Sequence, residues 1–164
     1  VTFKSVRVAG NKIDEAIIRW ARRKHNLVIG EQTAEHIKIK IGSAMPVSRE
    51  ETVEVTGRDS IAGLPRQVTV SSTDVFEAIR EPLGKIIAML KTVMEEVPPE
   101  LSSDIIDKGI VMSGGTALLR GFDRLITQET GVPAFVVEDP QRCVIKGIGI
   151  AIENLDVYSS SLKH

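Results

Sequence analysis

The apolar, strand-like run Ile110-Val111-Met112 passes directly into Ser113-Gly114-Gly115-Thr116, with Ala117-Leu118-Leu119-Arg120-Gly121 behind it. A buried strand that ends in paired glycines and gives way to a helix is a strong restriction on fold. It places bare backbone N–H groups at the carboxyl edge of a sheet, where open α/β folds hold ligands and where glycine lets a flat or anionic group approach. The same residues also suit a tight strand-to-helix turn that needs positive φ at a glycine. The formal phosphate motifs are missing: there is no G-x-x-x-x-G-K-[ST], and no G-x-G-x-x-G follows a strand. Gly147 and Gly149 fall within a helical pattern, where they suit close helix packing better than phosphate contact. The segment therefore indicates an α/β chain and leaves the ligand and the turn both open.

Periodicity supplies the remaining elements. Thr2 to Val8 alternates like a strand, with Phe3, Val6 and Val8 against Lys4 and Arg7, and Gly10-Asn11 reads as a turn. Ile13, Ala16, Ile17, Trp20 and Ala21 recur at helical spacing, and Arg19, Arg22, Arg23 and Lys24 form a basic end. A second helix is expected over Glu31 to Ile41, with Thr33 as N-cap and Gly42 as its stop. A hairpin follows, Thr52 to Thr56 with Gln67 to Val70. Ser71 or Ser72 should cap the longest helix, which Pro82 should kink or break. A short helix from Pro98-Pro99 to Lys108 leads to the Ile110 strand. A helix is then expected from about Leu119 to Thr130, a strand over Ala134 to Val137, and a glycine-containing helix over Gln141 to Asn154. The Ser-rich tail, Tyr158 to His164, reads as frayed.

Composition narrows the function. The 164 residues carry 21 Lys and Arg against 22 Asp and Glu, a net charge of −1, which argues against binding nucleic acid or anionic membrane by bulk charge. Aromatics make up 4%, too few for base-stacking platforms. Cys143 is the single cysteine, so no intrachain disulfide forms and a reducing cytoplasm is the expected compartment. The three histidines, His25, His36 and His164, show no metal-ligand spacing. No apolar run reaches the roughly 18–20 residues that span a bilayer. The chain opens without Met and in strand-like sequence, and is read as part of a longer protein.

Several segments together resemble one family. The Ser113-Gly114-Gly115-Thr116 turn looks like the adenosine motif of the actin superfamily. Lys4 to Gly10, Asp14-Glu15-Ala16-Ile17, Ile29 to Glu35 and Ile41-Gly42-Ser43-Ala44 are similar to the MreB family of rod-shape-determining bacterial actins. So are Gly57-Arg58-Asp59, Gly63-Leu64-Pro65, Pro98 to Leu101, Leu118 to Gly121, Glu138-Asp139-Pro140 and Glu153-Asn154-Leu155. Thr116 stands where the family usually has a third glycine, and Ala9 and Asn11 where it often has Gly and Asp. The matches span nearly the whole chain in the family's order.

The resemblance implies an actin-like (ribonuclease H-like) α/β lobe with an inserted small α+β subdomain. Residues 1–30 and 97–164 would form the larger part and 31–96 the insertion. It implies the C-terminal lobe of an ATP-dependent filament protein that organises cell-wall synthesis. ATP, with Mg2+ in the parent, would lie between two lobes, and the phosphate hairpins and membrane-touching segment would lie upstream of Val1. The nucleotide residues carried over are Glu35, His36, Ile37 and Lys38, with Gly114, Gly115, Thr116, Ala117 and Leu118. No catalytic residue can be assigned, so the chain alone is expected to be inactive. The implied partners are further copies of the protein and a cytoplasmic helix-turn-helix protein of the elongation machinery, in a cytoplasmic, membrane-associated setting.

Other readings stay open on the residues alone. Glu35 and Lys38 also make an ordinary surface helix pair worth a few tenths of a kcal/mol. The basic helix end could meet an acidic partner or simply be solvated, making the chain a non-catalytic interaction module. Lobes of other actin-superfamily ATPases fit the Gly63-Leu64-Pro65 loop less well.

Overall fold

Three helices pack on a small antiparallel sheet to make the main core. The structure is a computed structural model that describes residues 2–158. Helix α1 (Gly10–His25) is followed by the short strand β1 (Leu27–Val28) and helix α2 (Glu31–Ile41). Strands β2 (Thr52–Asp59) and β3 (Pro65–Ser71) then form the hairpin, and α3 (Ser72–Glu95) returns across it. Ile13 and Ile17 of α1, Ile37 of α2, and Val75 and Ile79 of α3 are fully buried against one another and against Val53, Val55 and Val70 of the sheet. At roughly 1.5–3 kcal/mol per buried aliphatic side chain, this cluster is the main source of stability. Within it α1 packs on α2 and α3, and β1 pairs with β2.

The second layer is α4 (Pro99–Lys108), β4 (Ile110–Met112), α5 (Phe122–Thr130), β5 (Ala134–Val136), α6 (Cys143–Glu153) and the single turn α7 (Leu155–Tyr158). Strands β4 and β5 are parallel, with Ile110 opposite Ala134 and Met112 opposite Val136, and α5 is the crossover between them. Parallel pairing of adjacent strands requires such a connection. Phe122 and Ile126 carry this layer into the common core.

Several expectations hold in detail. The Ser71 hydroxyl accepts from the Asp74 N–H at 3.2 Å while the Asp74 carboxylate accepts from the Ser71 N–H, a complete capping box on α3. Arg22, Arg23 and Lys24 do fall in the last turn of α1, and Asn26 ends it in the left-handed region. Others do not hold. Residues 2–8 form no strand, because among the described residues their backbone has no ladder partner. Gly10 and Asn11 are the first turn of α1 rather than a loop, since the Ala9 carbonyl accepts from both Lys12 and Ile13. Gly30, not Thr33, occupies the N-cap of α2. Pro82 does not break α3; the apolar contacts of Val75, Ile79, Leu83 and Ile87 on either side outweigh its missing donor. Beyond Gly115 the chain makes a 3-10 turn to Leu118, runs extended at Leu119, and starts α5 only at Phe122 because Gly121 is left-handed at φ 72°.

One surface is unlike the rest. No residue of α6 is buried, and Val144, Ile145, Ile148, Ile150 and Ile152 are all exposed, as are Val111 of β4 and Phe135 of β5. A Cβ at Gly147 or Gly149 would meet nothing within 4 Å, so the close helix packing expected there is not made among the described residues. The tail beyond Tyr158 lies outside the described residues.

Candidate functional site

A cleft of about 680 Å³ opens between the two layers. Gly10, Asn11 and Ile13 from the start of α1 form one wall, and Glu35, Lys38 and Ile39 from α2 with Gly42 just beyond it form a second. Gly115, Thr116 and Leu118 to Arg120 form the third, with Gln141 at the lip. Helical spacing explains the α2 contribution. Residues 35, 38, 39 and 42 recur at i, i+3, i+4 and i+7 and so share a stripe, while Ala34, Ile37 and Ile41 face the core.

The glycine segment makes the tight turn and also lines the cleft. Gly114 adopts φ 87°, a conformation that L side chains rarely adopt, and its N–H donates to the Pro140 carbonyl at 2.8 Å. Gly115 lines the cleft, where a side chain would point toward the Gln141 amide. Strand β4 is only partly buried, since Val111 is exposed and Met112 covered.

The third wall is stitched to the end of α2. The Ala44 N–H donates to the Arg120 carbonyl at 2.8 Å, and the buried Ser43 hydroxyl bonds the Met45 carbonyl at 2.6 Å. Arg120 also donates to Glu51 at 2.8 Å. That bond holds the Glu51 carboxyl below its ordinary range and raises the Arg120 guanidinium. From the cleft wall, the Lys38 ammonium donates to the buried Asp14 Oδ2 at 2.9 Å.

The nine residues named from sequence are thus divided. Glu35, Lys38, Gly115, Thr116 and Leu118 meet around the cleft. Gly114 shapes the turn, Ala117 and Ile37 are buried in the core, and His36 is exposed away from the lining. Sequence reasoning missed Gly10, Asn11, Asp14, Ile39, Gly42 and Gln141. Asp14 alone left a signal: it is a charge placed within the apolar stripe of α1.

A cleft floored by a glycine turn and walled by a Glu/Lys helix face suits a neutral, polar ring system with hydroxyl groups. The profile of the MreB/Mbl protein family matches residues 1–160. The chain belongs to the MreB/Mbl family. It is 47% identical over 162 residues to the cell shape-determining protein MreB of Escherichia coli, covering 99% of this chain and 47% of that protein. It is 47% identical over 156 residues to the cell shape-determining protein Mbl of Bacillus cereus, covering 95% of this chain and 47% of that one. The chain therefore spans about half the length of these MreB and Mbl relatives. Among solved structures, MreB5 of Spiroplasma citri bound to ADP superposes with a TM-score of 0.89 at 34% identity, over 93% of this chain and 46% of that one. A MamK double helical filament subunit matches with a TM-score of 0.61 at 20% identity over 79% of this chain and 39% of that one, which supports the actin-like fold.

Proposed function

We propose that this chain is the adenosine-holding lobe of an ATP-dependent, filament-forming bacterial actin that controls rod shape by organising cell-wall synthesis. The observation that carries the reading is the convergence of Glu35 and Lys38 with Gly115 and Thr116 on one cleft. The Glu35 carboxylate can accept from ribose hydroxyls and the Lys38 ammonium can donate to ring or sugar acceptors, while Gly115 lets the ligand approach the backbone. Spiroplasma citri MreB5 structures carry ADP and AMPPNP, which supports a nucleotide as the occupant.

The phosphates and Mg2+ belong, in this reading, to other parts of the longer protein. Among the described residues no three His, Cys, Asp or Glu side chains gather to hold a metal. Hydrolysis needs a positioned water, a metal-bound polyphosphate and donors to the γ-phosphate. The residues of this chain supply binding and orientation only. The uncovered apolar surface of α6 and β4–β5 fits a lobe that packs against further protein.

Self-association into filaments and docking of a cytoplasmic helix-turn-helix partner are part of the same proposal. The basic end of α1 is a modest candidate for an acidic partner. Arg19, Arg22, Arg23 and Lys24 are all exposed, with Arg19 paired to Glu15 and Lys24 to Asp74.

A chimera tests the function. This chain replaces the second half of the Escherichia coli protein in cells depleted of their own copy. Rod-shaped growth, lost when the chimera carries Lys38→Ala, is the expected result. Round cells containing soluble, abundant chimera would contradict the reading.

A further inference from the structure

Asp14 is the only charged residue among the described residues that is buried, 8% exposed in a helix face otherwise made of Ile13, Ala16, Ile17, Trp20 and Ala21. A carboxylate in such a stripe costs several kcal/mol unless it is paired. Its partner is Lys38, whose ammonium donates to Oδ2 at 2.9 Å and lies equally near Oδ1. Oδ1 is closed off from solvent and has no hydrogen-bond donor of its own among the described residues. Asp14 does not line the cleft; Lys38 does.

We propose that Asp14 is a positioning residue, holding the Lys38 ammonium at the cleft in ligand-ready geometry and linking α1 to α2 through it. The inference rests on the adenosine reading of the cleft and adds a residue to it. A free lysine side chain samples many rotamers and loses that freedom when it is fixed. Asp14 fixes it before ligand arrives. Only one of the three ammonium donors is used by Asp14, so the others remain for a nucleoside's acceptors. Gly10 adjoins the pair: a Cβ there would make ordinary contact with Lys38 Nζ at 3.4 Å and Thr116 Oγ1 at 3.6 Å. The fold does not need the pair. Buried ion pairs replaced by apolar residues of similar volume are often neutral or stabilising.

Two measurements on the whole chain test this. In the first, amine acetylation read by mass spectrometry compares Lys38 with the exposed Lys40. Asp14→Asn should raise the Lys38 rate about fivefold or more and leave Lys40 unchanged. In the second, ADP is titrated by NMR against a double-mutant cycle. Asp14→Asn should weaken ADP about fivefold, Asp14→Glu should restore much of the loss, and Asp14→Asn in a Lys38→Met background should change affinity less than about twofold. Asp14→Leu with Lys38→Met should melt no lower than wild type while binding ADP worst of all. The proposal is overturned if Asp14→Asn lowers the melting temperature yet leaves Lys38 reactivity and ADP affinity unchanged, or if its effect on affinity persists without Lys38. Failure of the wild-type chain to bind ADP would instead sink the adenosine reading. The acetylation rates would then still decide whether Asp14 positions Lys38.

Discussion

The Ser43 hydroxyl, 1% exposed, lies 3.4 Å from the Arg120 carbonyl across 77 residues of sequence. Together with the Ala44–Arg120 backbone bond, it fastens the glycine turn to the end of α2. Two walls of the cleft are therefore held in register by one short bridge. Ser43→Ala should cost about 1–2 kcal/mol in denaturant unfolding, because the Met45 backbone loses a buried partner. Amide exchange at Gly115 to Leu118 should quicken at the same time. A variant with wild-type exchange there would show that the walls are fixed by other means.

Asp74 sets an acid dependence. Burial opposes its ionisation, but the Lys24 ammonium and the bonds with Ser71 outweigh burial and hold the carboxyl below its ordinary range. A lowered folded pKa contributes stability that is complete above the unfolded value near 3.9 and is lost as pH falls through the folded value. Unfolding free energy measured from about pH 5 to pH 2 should therefore fall less steeply in Asp74→Asn than in wild type. Equal slopes would mean that Asp74 gains nothing from Lys24 and Ser71.

The capping box shows what can be read locally. Ser71 and Asp74 are three residues apart, and helix caps, apolar periods such as Ile13-Ile17-Trp20, and the Ile110-to-Thr116 switch are all written within one stretch of chain. The misses share the opposite property. Thr2 to Val8 has a strand's alternation, but a strand exists only when another segment pairs with it. Leu119 to Gly121 looks helical until the packing of Met45 at Gly121 and its left-handed backbone are known. The cleft gathers residue 10, residues 35 to 42, residues 115 to 120 and residue 141, so Gln141 and Gly10 carry no sign of their role until the fold is known. Glu35, Lys38 and Gly115 were legible through family resemblance, since spacing alone fits a surface pair.

The exposed face of α6 predicts behaviour in solution. Ile145→Glu with Ile152→Lys replaces two largely exposed apolar side chains, 63% and 62% accessible, so stability should change by less than about 0.5 kcal/mol. Solubility of the chain should rise, measured as monomer fraction by light scattering. Loss of more than about 2 kcal/mol would place α6 in a packed core instead.

Nucleotide discrimination follows from which contacts this chain supplies. Phosphate recognition relies on charge-assisted bonds, stronger than neutral ones, and the proposal assigns those to other parts of the protein. The chain alone should bind no better than about 1 mM, near −4 kcal/mol. ATP, ADP and adenosine should differ by less than about threefold, and ATP should not be turned over. Calorimetry giving micromolar ATP with a clear preference over ADP would require a complete phosphate site here.

NMR titration of the labelled chain with adenosine and ADP, to about 10 mM, tests the central claim most directly. Shifts should concentrate at Glu35, Lys38, Gly115, Thr116 and Gln141, and should shrink in Lys38→Ala and Gly115→Val. No shifts at saturating ligand would contradict the account. So would shifts centred on the separate groove of about 540 Å³ lined by Phe76, Leu83 and Leu125.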